Sequence, residues 1–154
     1  MKEYEYSFKV LDLTPYINYC KENGYILKES TSQIRVLYRN SNKTLARITT
    51  KIKNNEKRTF LDFKDDNQSN ETLKLSKESL PLEITEKDFE SVYSILQMLN
   101  YSKDVTLIRD RVVYEKDNVK FEIDNYSSPE RMYVVAIEGD KTEVDLIYNE
   151  IKEM

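Results

Sequence analysis

The sequence has 154 residues, with 24 Lys and Arg against 28 Asp and Glu, which gives a net charge of −4 and a pI of about 5.1. This acidic balance argues against a general binder of nucleic acids or anionic membranes. There is no histidine and only one cysteine, Cys20, so His-based triads, His-ligated metals, Cys-based zinc sites and internal disulfides are excluded. Any catalysis must therefore use carboxylates, lysine, tyrosine or a hard cation with oxygen ligands.

The length predicts one domain, residues 1–154. No run approaches the ~20 apolar residues of a membrane span. The first residues also lack the apolar segment of a signal peptide, so we expect a cytoplasmic protein with no membrane partner. Cys20 lies among aromatic and aliphatic residues in a helix-like stretch, and we expect a packed thiol there rather than a nucleophile.

The first predicted strand is KEYEYSFKV, residues 2–10. Its aromatic and aliphatic residues alternate with Glu3, Glu5, Ser7 and Lys9. A strand puts successive side chains on opposite faces, so the apolar residues share one face and the polar residues share the other.

Helical signals occur in three segments, residues 14–25, 85–101 and 142–154. In the first, Thr14 is the expected N-cap and Gly24 the expected C-cap. In the second, Thr85 and Asp88 approximate a capping box ahead of apolar residues at helical spacing. In the third, Thr142 is the expected N-cap.

Most of the remaining chain has the alternation of strands. These strands are predicted at residues 33–40, 44–53, 58–64, 105–116, 118–126 and 131–139, with turns at 40–43 and 116–118. Residues 65–72 are a polar loop, and residues 73–84 are extended because Pro81 interrupts any helix. Many strands with short connections and few helices predict an α+β protein with an antiparallel sheet or barrel.

Charged residues share faces on these strands. Arginines cluster on the middle strands, whereas carboxylates cluster on the first strand and the last two. One interpretation is that these are the solvated outer faces of a half-buried sheet. The other is that they line the lumen of a closed barrel, since sorting by sign is unlike an ordinary mixed surface. Carboxylates at one side and arginines at the other would suit a divalent cation bound to a polyphosphate.

Six short motifs, in order along the chain, resemble those of the CYTH superfamily, the triphosphate tunnel metalloenzymes. They are Glu3-x-Glu5, TLARIT with Arg47, FLDFK ending at Lys64, LIRDRVVY with Arg109 and Arg111, VKFEIDNY with Asp124, and YVVAIEGD with Glu138. The resemblance runs from residue 3 to about residue 150. It implies an α+β fold built on a closed, antiparallel, eight-stranded barrel with a few flanking helices, whose lumen binds triphosphates.

The resemblance also implies roles for individual residues. Phosphates would be bound by basic residues, namely Arg47, Lys51, Lys64, Arg109 and Arg111. Mg²⁺ or Mn²⁺ would be held by carboxylates, namely Glu3, Glu5, Asp124 and Glu138.

Three positions depart from the family pattern. Ser7 stands where the first strand has a lysine, Thr49 where the third has a second arginine, and Ala136 where the last has its first glutamate. In some family members the first-strand lysine helps to activate the attacking water. Lys9, two residues along the same face, is the predicted catalytic substitute, and Lys51 is the predicted substitute for Thr49.

These features predict a metal-dependent hydrolase of a triphosphate, such as tripolyphosphate, thiamine triphosphate or a nucleoside triphosphate. The expected partner is thus a triphosphate-containing small molecule and not nucleic acid, and exposed strand edges leave a homodimer open. Three alternatives stay open. They are a catalytically impaired module that binds a phosphorylated ligand, an adenylyl cyclase of the same family, and a scaffold whose lumen charges only neutralise one another.

Overall fold

The computed structural model describes residues 2–65 and 73–154, and it places nine strands and three helices among them. The strands are β1 (Lys2–Val10), β2 (Ile26–Arg39), β3 (Thr44–Lys53), β4 (Glu56–Asp65), β5 (Leu73–Lys77), β6 (Leu82–Ile84), β7 (Ser102–Lys116), β8 (Val119–Ser128) and β9 (Met132–Gly139). The helices are α1 (Thr14–Glu22), α2 (Glu86–Met98) and α3 (Lys141–Ile151). The predicted α+β class is confirmed.

All nine described strands form one antiparallel sheet in the order β5-β1-β9-β8-β7-β2-β3-β4-β6. The sheet is curled, as shown by the contact between β4 and the chain just after β5, which lie near opposite ends of the strand order. Lys64 and Glu78 form an isolated bridge, and the Ser79 N–H donates to the Phe63 carbonyl at 2.9 Å. Within the described ranges, the continuous ladder still ends at β5 and β6, so the predicted closed barrel is not confirmed.

The described part of the chain forms nine strands, where the resemblance implied a barrel of eight. Residues 73–84, expected to be extended, form two short strands, β5 and β6, with Pro81 between them. Pro81 has no N–H to offer a ladder and therefore separates the two strands. The predicted polar loop lies outside the described residues, except that Asp65 ends β4.

The helix boundaries follow local capping chemistry. The capping box of α2 is confirmed, since the Thr85 N–H donates to Asp88 Oδ2 at 3.0 Å. Thr14 is not the N-cap of α1, because Leu13 holds that position and Asp12 Oδ1 accepts from the Thr14 N–H at 2.9 Å. Likewise α3 has Asp140 as its N-cap rather than Thr142. None of the described helices is both long and apolar enough to cross a membrane.

Two apolar clusters lie between the helices and the outer face of the sheet. The larger joins α1 and α3 to β8 and β9, and its fully buried members include Cys20, Phe121, Ile137 and Val144. The smaller packs α2 against β3 and β6. Because the helices cover the apolar face from outside, the charged faces of the strands turn toward the concave side of the sheet.

Cys20 is the buried thiol that the sequence predicts. Its side chain is fully buried, and burial raises the pKa of the thiol to about 12. We expect Cys20 to react with a thiol-specific chromogenic reagent only as fast as the protein unfolds, because the reactive species is an accessible thiolate. Fast labelling of the native protein, at the rate seen in denaturant, would contradict this placement.

Candidate active site

The concave side of the sheet encloses a cavity of about 930 Å³. This volume lies at the upper end of the range of small-molecule sites, roughly 300–1,000 Å³. Nearly all of the predicted site residues line it, namely Glu3, Glu5, Arg47, Lys51, Lys64, Arg109, Arg111, Asp124 and Glu138. The interpretation of these strand faces as a solvated outer surface is therefore wrong.

Three carboxylates form a cluster on one wall of the cavity. Glu5 on β1, Glu122 on β8 and Glu138 on β9 each place a carboxylate oxygen within 4.8 Å of the others. Sheet register brings them together, because Glu5 lies opposite Glu138 on neighbouring strands. Three carboxylates at this spacing offer the hard oxygen ligands that Mg²⁺ and Mn²⁺ prefer.

Glu122 lies beside Ala136, the position where the resemblance leads one to expect a glutamate. In the ladder it lies directly opposite Ala136, and Ala136 in turn lies opposite Ser7. The two small side chains leave room on the cavity wall beside Glu122. Glu122 thus places a carboxylate on the strand next to Ala136, at the opposite position in the ladder.

The cluster holds a proton at neutral pH. Burial and the adjacent Glu122 carboxylate raise the pKa of Glu138 to about 11, so Glu138 is protonated and hydrogen-bonded to Glu122. Burial acts against the charge of Glu122, but Arg111 and the hydrogen bond with Glu138 lower its pKa. Lys120 Nζ lies 3.2 Å from Glu138, and despite burial the carboxylates around it raise the pKa of Lys120.

We expect binding of Mn²⁺ or Mg²⁺ at this cluster to release about one proton, because Glu138 must ionise to act as a ligand. The metal must displace this proton at any pH below the raised pKa of about 11, so affinity for the metal rises with pH up to that value. The rise is up to about tenfold per pH unit for one displaced proton. Without metal, the folded protein holds a proton that the unfolded chain loses above the ordinary Glu pKa of 4.5, so stability falls as pH rises from there to about 11.

Titration calorimetry in two buffers of different ionisation enthalpy would measure the released proton. A Glu138→Gln variant is the matched control, because it removes the titrating group and keeps the side-chain volume. Heats that do not depend on the buffer in the wild type would refute the shared proton.

Arg111 belongs to a buried ion-pair network rather than to an open phosphate site. Its Nε and Nη2 donate to the two oxygens of Asp124 at 2.7 and 2.8 Å, and its Nη1 donates to Glu122 at 2.8 Å. Burial alone would lower the pKa of Arg111, but Glu122 and Asp124 raise it well above its usual value. Both oxygens of Asp124 are occupied, so this predicted metal ligand is placed as the partner of Arg111.

The other predicted basic residues of β3 and β4 also have acidic partners. Arg47 Nε donates to Asp62 at 2.8 Å, and its Nη2 donates to Glu78 at 3.1 Å. Lys64 Nζ lies 3.7 Å from Glu78. Lys51 Nζ donates to Glu29 at 2.7 Å. A phosphate entering here would have to compete with these carboxylates.

Arg109 has neutral partners instead. Its Nε and Nη2 donate to Gln33 Oε1 at 3.0 and 2.9 Å, and its Nη1 donates to the Tyr126 hydroxyl at 2.8 Å. Only 3% of Arg109 is exposed, so its guanidinium is held in one orientation by uncharged groups. The positive charge is therefore left available to an anion in the cavity.

Lys9 does not line the cavity. It lies near the end of β1 with a side chain that is 70% exposed, and its Nζ contacts Glu130 at 3.4 Å. The strand leaves the cavity at this point and runs into Leu11, which is 98% exposed. The prediction that Lys9 stands in for the missing lysine is therefore contradicted by its position.

Glu122 and Arg35 are among the cavity-lining side chains to which sequence reasoning gave no role. Glu122 shares the face of Lys120 and Asp124 on β8, and Arg35 shares the face of Gln33 on β2. Strand parity alone would have found both of them. Sequence alone does not show that Glu122 rather than Asp124 lies close to Glu5, because that depends on how β9 pairs with β1 and with β8.

Neither the family models nor the curated protein sequences match this chain. The fold does occur in solved structures. A conserved hypothetical protein from Pyrococcus furiosus has a TM-score of 0.72 at 23% identity, over 97% of this chain and 88% of that one. A candidate adenylyl cyclase from Hippeastrum, described as having a dominant triphosphatase activity, has a TM-score of 0.67 at 13% identity, over 98% and 87%.

The fold is not confined to proteins described as enzymes. A chain of the Schizosaccharomyces pombe Mediator head module has a TM-score of 0.67 at 10% identity, covering 98% of this chain and 96% of that one. At identities this low the likeness shows a shared fold alone. What the protein does must therefore be argued from the site.

Proposed function

We propose that this protein is a metal-dependent hydrolase of a triphosphate bound in the charged cavity. The observation that carries the proposal is the separation of charge inside one cavity: a cluster of three carboxylates on β1, β8 and β9, and guanidinium groups on β2, β3 and β7. The shared fold with the triphosphatase-active Hippeastrum protein supports it.

The residues of this chain would divide the work. Glu5, Glu122 and Glu138 would hold Mg²⁺ or Mn²⁺, which supplies a Lewis acid that withdraws charge from phosphoryl oxygens. Arg109 would pair with phosphate oxygens from the opposite side, and this fixed positive charge would stabilise the transferring phosphoryl group. Arg111 would orient Glu122, since its Nη1 donates to that carboxylate.

A second candidate is a module that binds a phosphorylated ligand without turnover. The observation in its favour is that Ser7 lines the cavity where a lysine was expected, while Lys9 points out of it. A cyclase would bind a triphosphate with the same residues, but the nucleophile would be a ribose hydroxyl instead of water. A homodimer is a separate proposal, and it is compatible with a hydrolase, a binding module or a cyclase.

Product analysis separates these candidates. The purified protein would be given tripolyphosphate, thiamine triphosphate, ATP or GTP with Mg²⁺, Mn²⁺ or EDTA, and phosphate and cyclic AMP would be measured. We expect phosphate release that needs a metal and is lost in Glu5→Gln. Formation of cyclic AMP would favour the cyclase, and ligand binding without any product would favour the binding module.

A further inference from the structure

Arg35 on β2 lines the cavity, and its guanidinium is not paired with any carboxylate among the described residues. Its Nε donates to Thr49 Oγ1 at 2.8 Å, which is a neutral partner. Arg47 and Arg111, by contrast, each contact two carboxylates. Arg35 therefore contributes a positive charge to the cavity that the protein itself does not neutralise.

The surroundings of Arg35 increase this imbalance. Burial, followed by the positive charges of Arg109, Arg47 and Arg111, lowers the pKa of Arg35 well below its usual value. Like charges in one cavity repel each other, and a desolvated charge without a partner is costly. A site that keeps such a charge in the free protein is suited to an anionic ligand that removes the cost.

The position of Arg35 in the sheet explains where that ligand would lie. Arg35 is directly opposite Thr49 in the β2–β3 ladder, and Gln33, the partner of Arg109, is opposite Arg109 in the β2–β7 ladder. Arg35 on β2 and Arg109 on the neighbouring strand β7 thus lie two ladder positions apart, and both line the cavity. Thr49 is also one of the three departures, so a guanidinium missing from β3 is present on the neighbouring strand instead.

We propose that Arg35 and Arg109 form the main anion subsite of the cavity and bind a phosphoryl group, with Arg35 taking the place of a basic residue at Thr49. This inference rests on the proposed function, because it assigns the phosphate end of that site. It implies that the ligand meets two guanidinium groups held by neutral partners, while Arg47, Lys51 and Lys64 stay largely engaged with their own carboxylates.

The subsite can be tested without metal or turnover. Calorimetry at low ionic strength would measure the binding of inorganic tripolyphosphate to the protein in EDTA. We expect Arg35→Gln to weaken binding by about 10- to 100-fold, the usual effect of losing hydrogen bonds to a charged group. The matched control is Arg58→Gln, an exposed arginine paired with Glu83 outside the cavity lining. Adding Thr49→Arg to Arg35→Gln should restore much of the affinity, because it returns a guanidinium to the opposite position in the ladder.

Thermal unfolding of the ligand-free variants separates binding from a structural role. We expect Arg35→Gln to raise the unfolding midpoint by about 2–4 °C, because it removes an uncompensated charge. A lower midpoint together with weaker binding would assign Arg35 a structural role and overturn the proposal. Unchanged affinity in Arg35→Gln would also overturn it, and so would the absence of tripolyphosphate binding by the wild type. Tight binding in EDTA that depends on Arg35, without phosphate release in Mg²⁺, would refute the hydrolase and leave the subsite standing.

Discussion

Replacing Glu122 with glutamine is expected to reduce metal-dependent phosphate release by at least about 100-fold. Glu122 is held as a carboxylate in the three-carboxylate cluster, because Arg111 and the hydrogen bond with Glu138 lower its pKa. Glutamine keeps the shape but removes this negative charge from the cluster. Changes to groups that only support metal ligands already cost about 10- to 100-fold, and loss of a ligand should cost more.

The measurement is the rate of phosphate release over a range of Mn²⁺ concentrations, with the unfolding midpoint as a check on folding. Glu90→Gln is the matched control, since Glu90 is exposed on α2 and remote from the cavity lining. We expect higher metal concentrations to recover part of the activity of Glu122→Gln. Full activity in Glu122→Gln would show that Glu122 is not a ligand and would refute the cluster as the metal site.

Strand parity was the part of the site that sequence could predict. The alternation of Glu3 and Glu5 with aromatic residues on β1, and of Arg109 and Arg111 with other residues on β7, follows from the two-residue period of a strand. These side chains do line one cavity. The class of fold follows from the same periodicity and from the short turns.

The pairing of Arg111 with Asp124 was also within reach of the sequence. The β7–β8 hairpin turns at Asp117 and Asn118, and a two-residue turn fixes the register of both strands. Lys116 is paired with Val119 next to the turn. Five residues away from the turn on each strand, Arg111 lies opposite Asp124. Register therefore identifies Asp124 as an ion-pair partner of Arg111, although it does not show that Arg111 also contacts Glu122.

Other features depend on contacts that are remote in sequence. Lys9 has the parity of a cavity residue and still pairs with Val134 of β9, but near the end of β1 its exposed side chain contacts Glu130 instead of lining the cavity. Likewise the contact of Glu78 with β4 requires the chain after β5 to meet a strand that pairs on the far side of the sheet. No local pattern encodes either contact.

Two departures share one structural explanation. Thr49 and Ala136 lack the charged side chains that the resemblance leads one to expect, and each lies directly opposite a residue of the expected charge, Arg35 and Glu122. Cross-strand neighbours on one face have Cβ atoms only about 4.5–5.5 Å apart, so a charge moved to the neighbouring strand still reaches the same part of the cavity. Motif positions read along a single strand miss this kind of exchange.

Replacing Asp124 with asparagine is expected to destabilise the protein by about 3–5 kcal/mol, the usual cost of breaking a buried ion pair from one side. The side chains of Asp124 and Arg111 are only 2% and 10% exposed, and both carboxylate oxygens accept from the guanidinium. Asparagine accepts at one oxygen only, and its amide group turns a donor toward the remaining Arg111 N–H. The free energy of unfolding from urea denaturation measures the effect.

The exposed pair of Arg58 and Glu83 provides the matched control. Its side chains are 62% and 44% exposed, so Glu83→Gln should leave the urea midpoint unchanged within error.

The Asp124→Asn variant also distinguishes two roles for Asp124, as the ion-pair partner of Arg111 or as a metal ligand. A metal that binds the folded protein raises the unfolding midpoint with concentration. If Asp124 acts only through Arg111, Mn²⁺ should still raise the midpoint of Asp124→Asn, starting from a lower value, whereas the midpoint of Glu122→Gln should respond weakly. The opposite pattern would make Asp124 a metal ligand, as the resemblance implied, and would require Arg111 to release it when the metal binds.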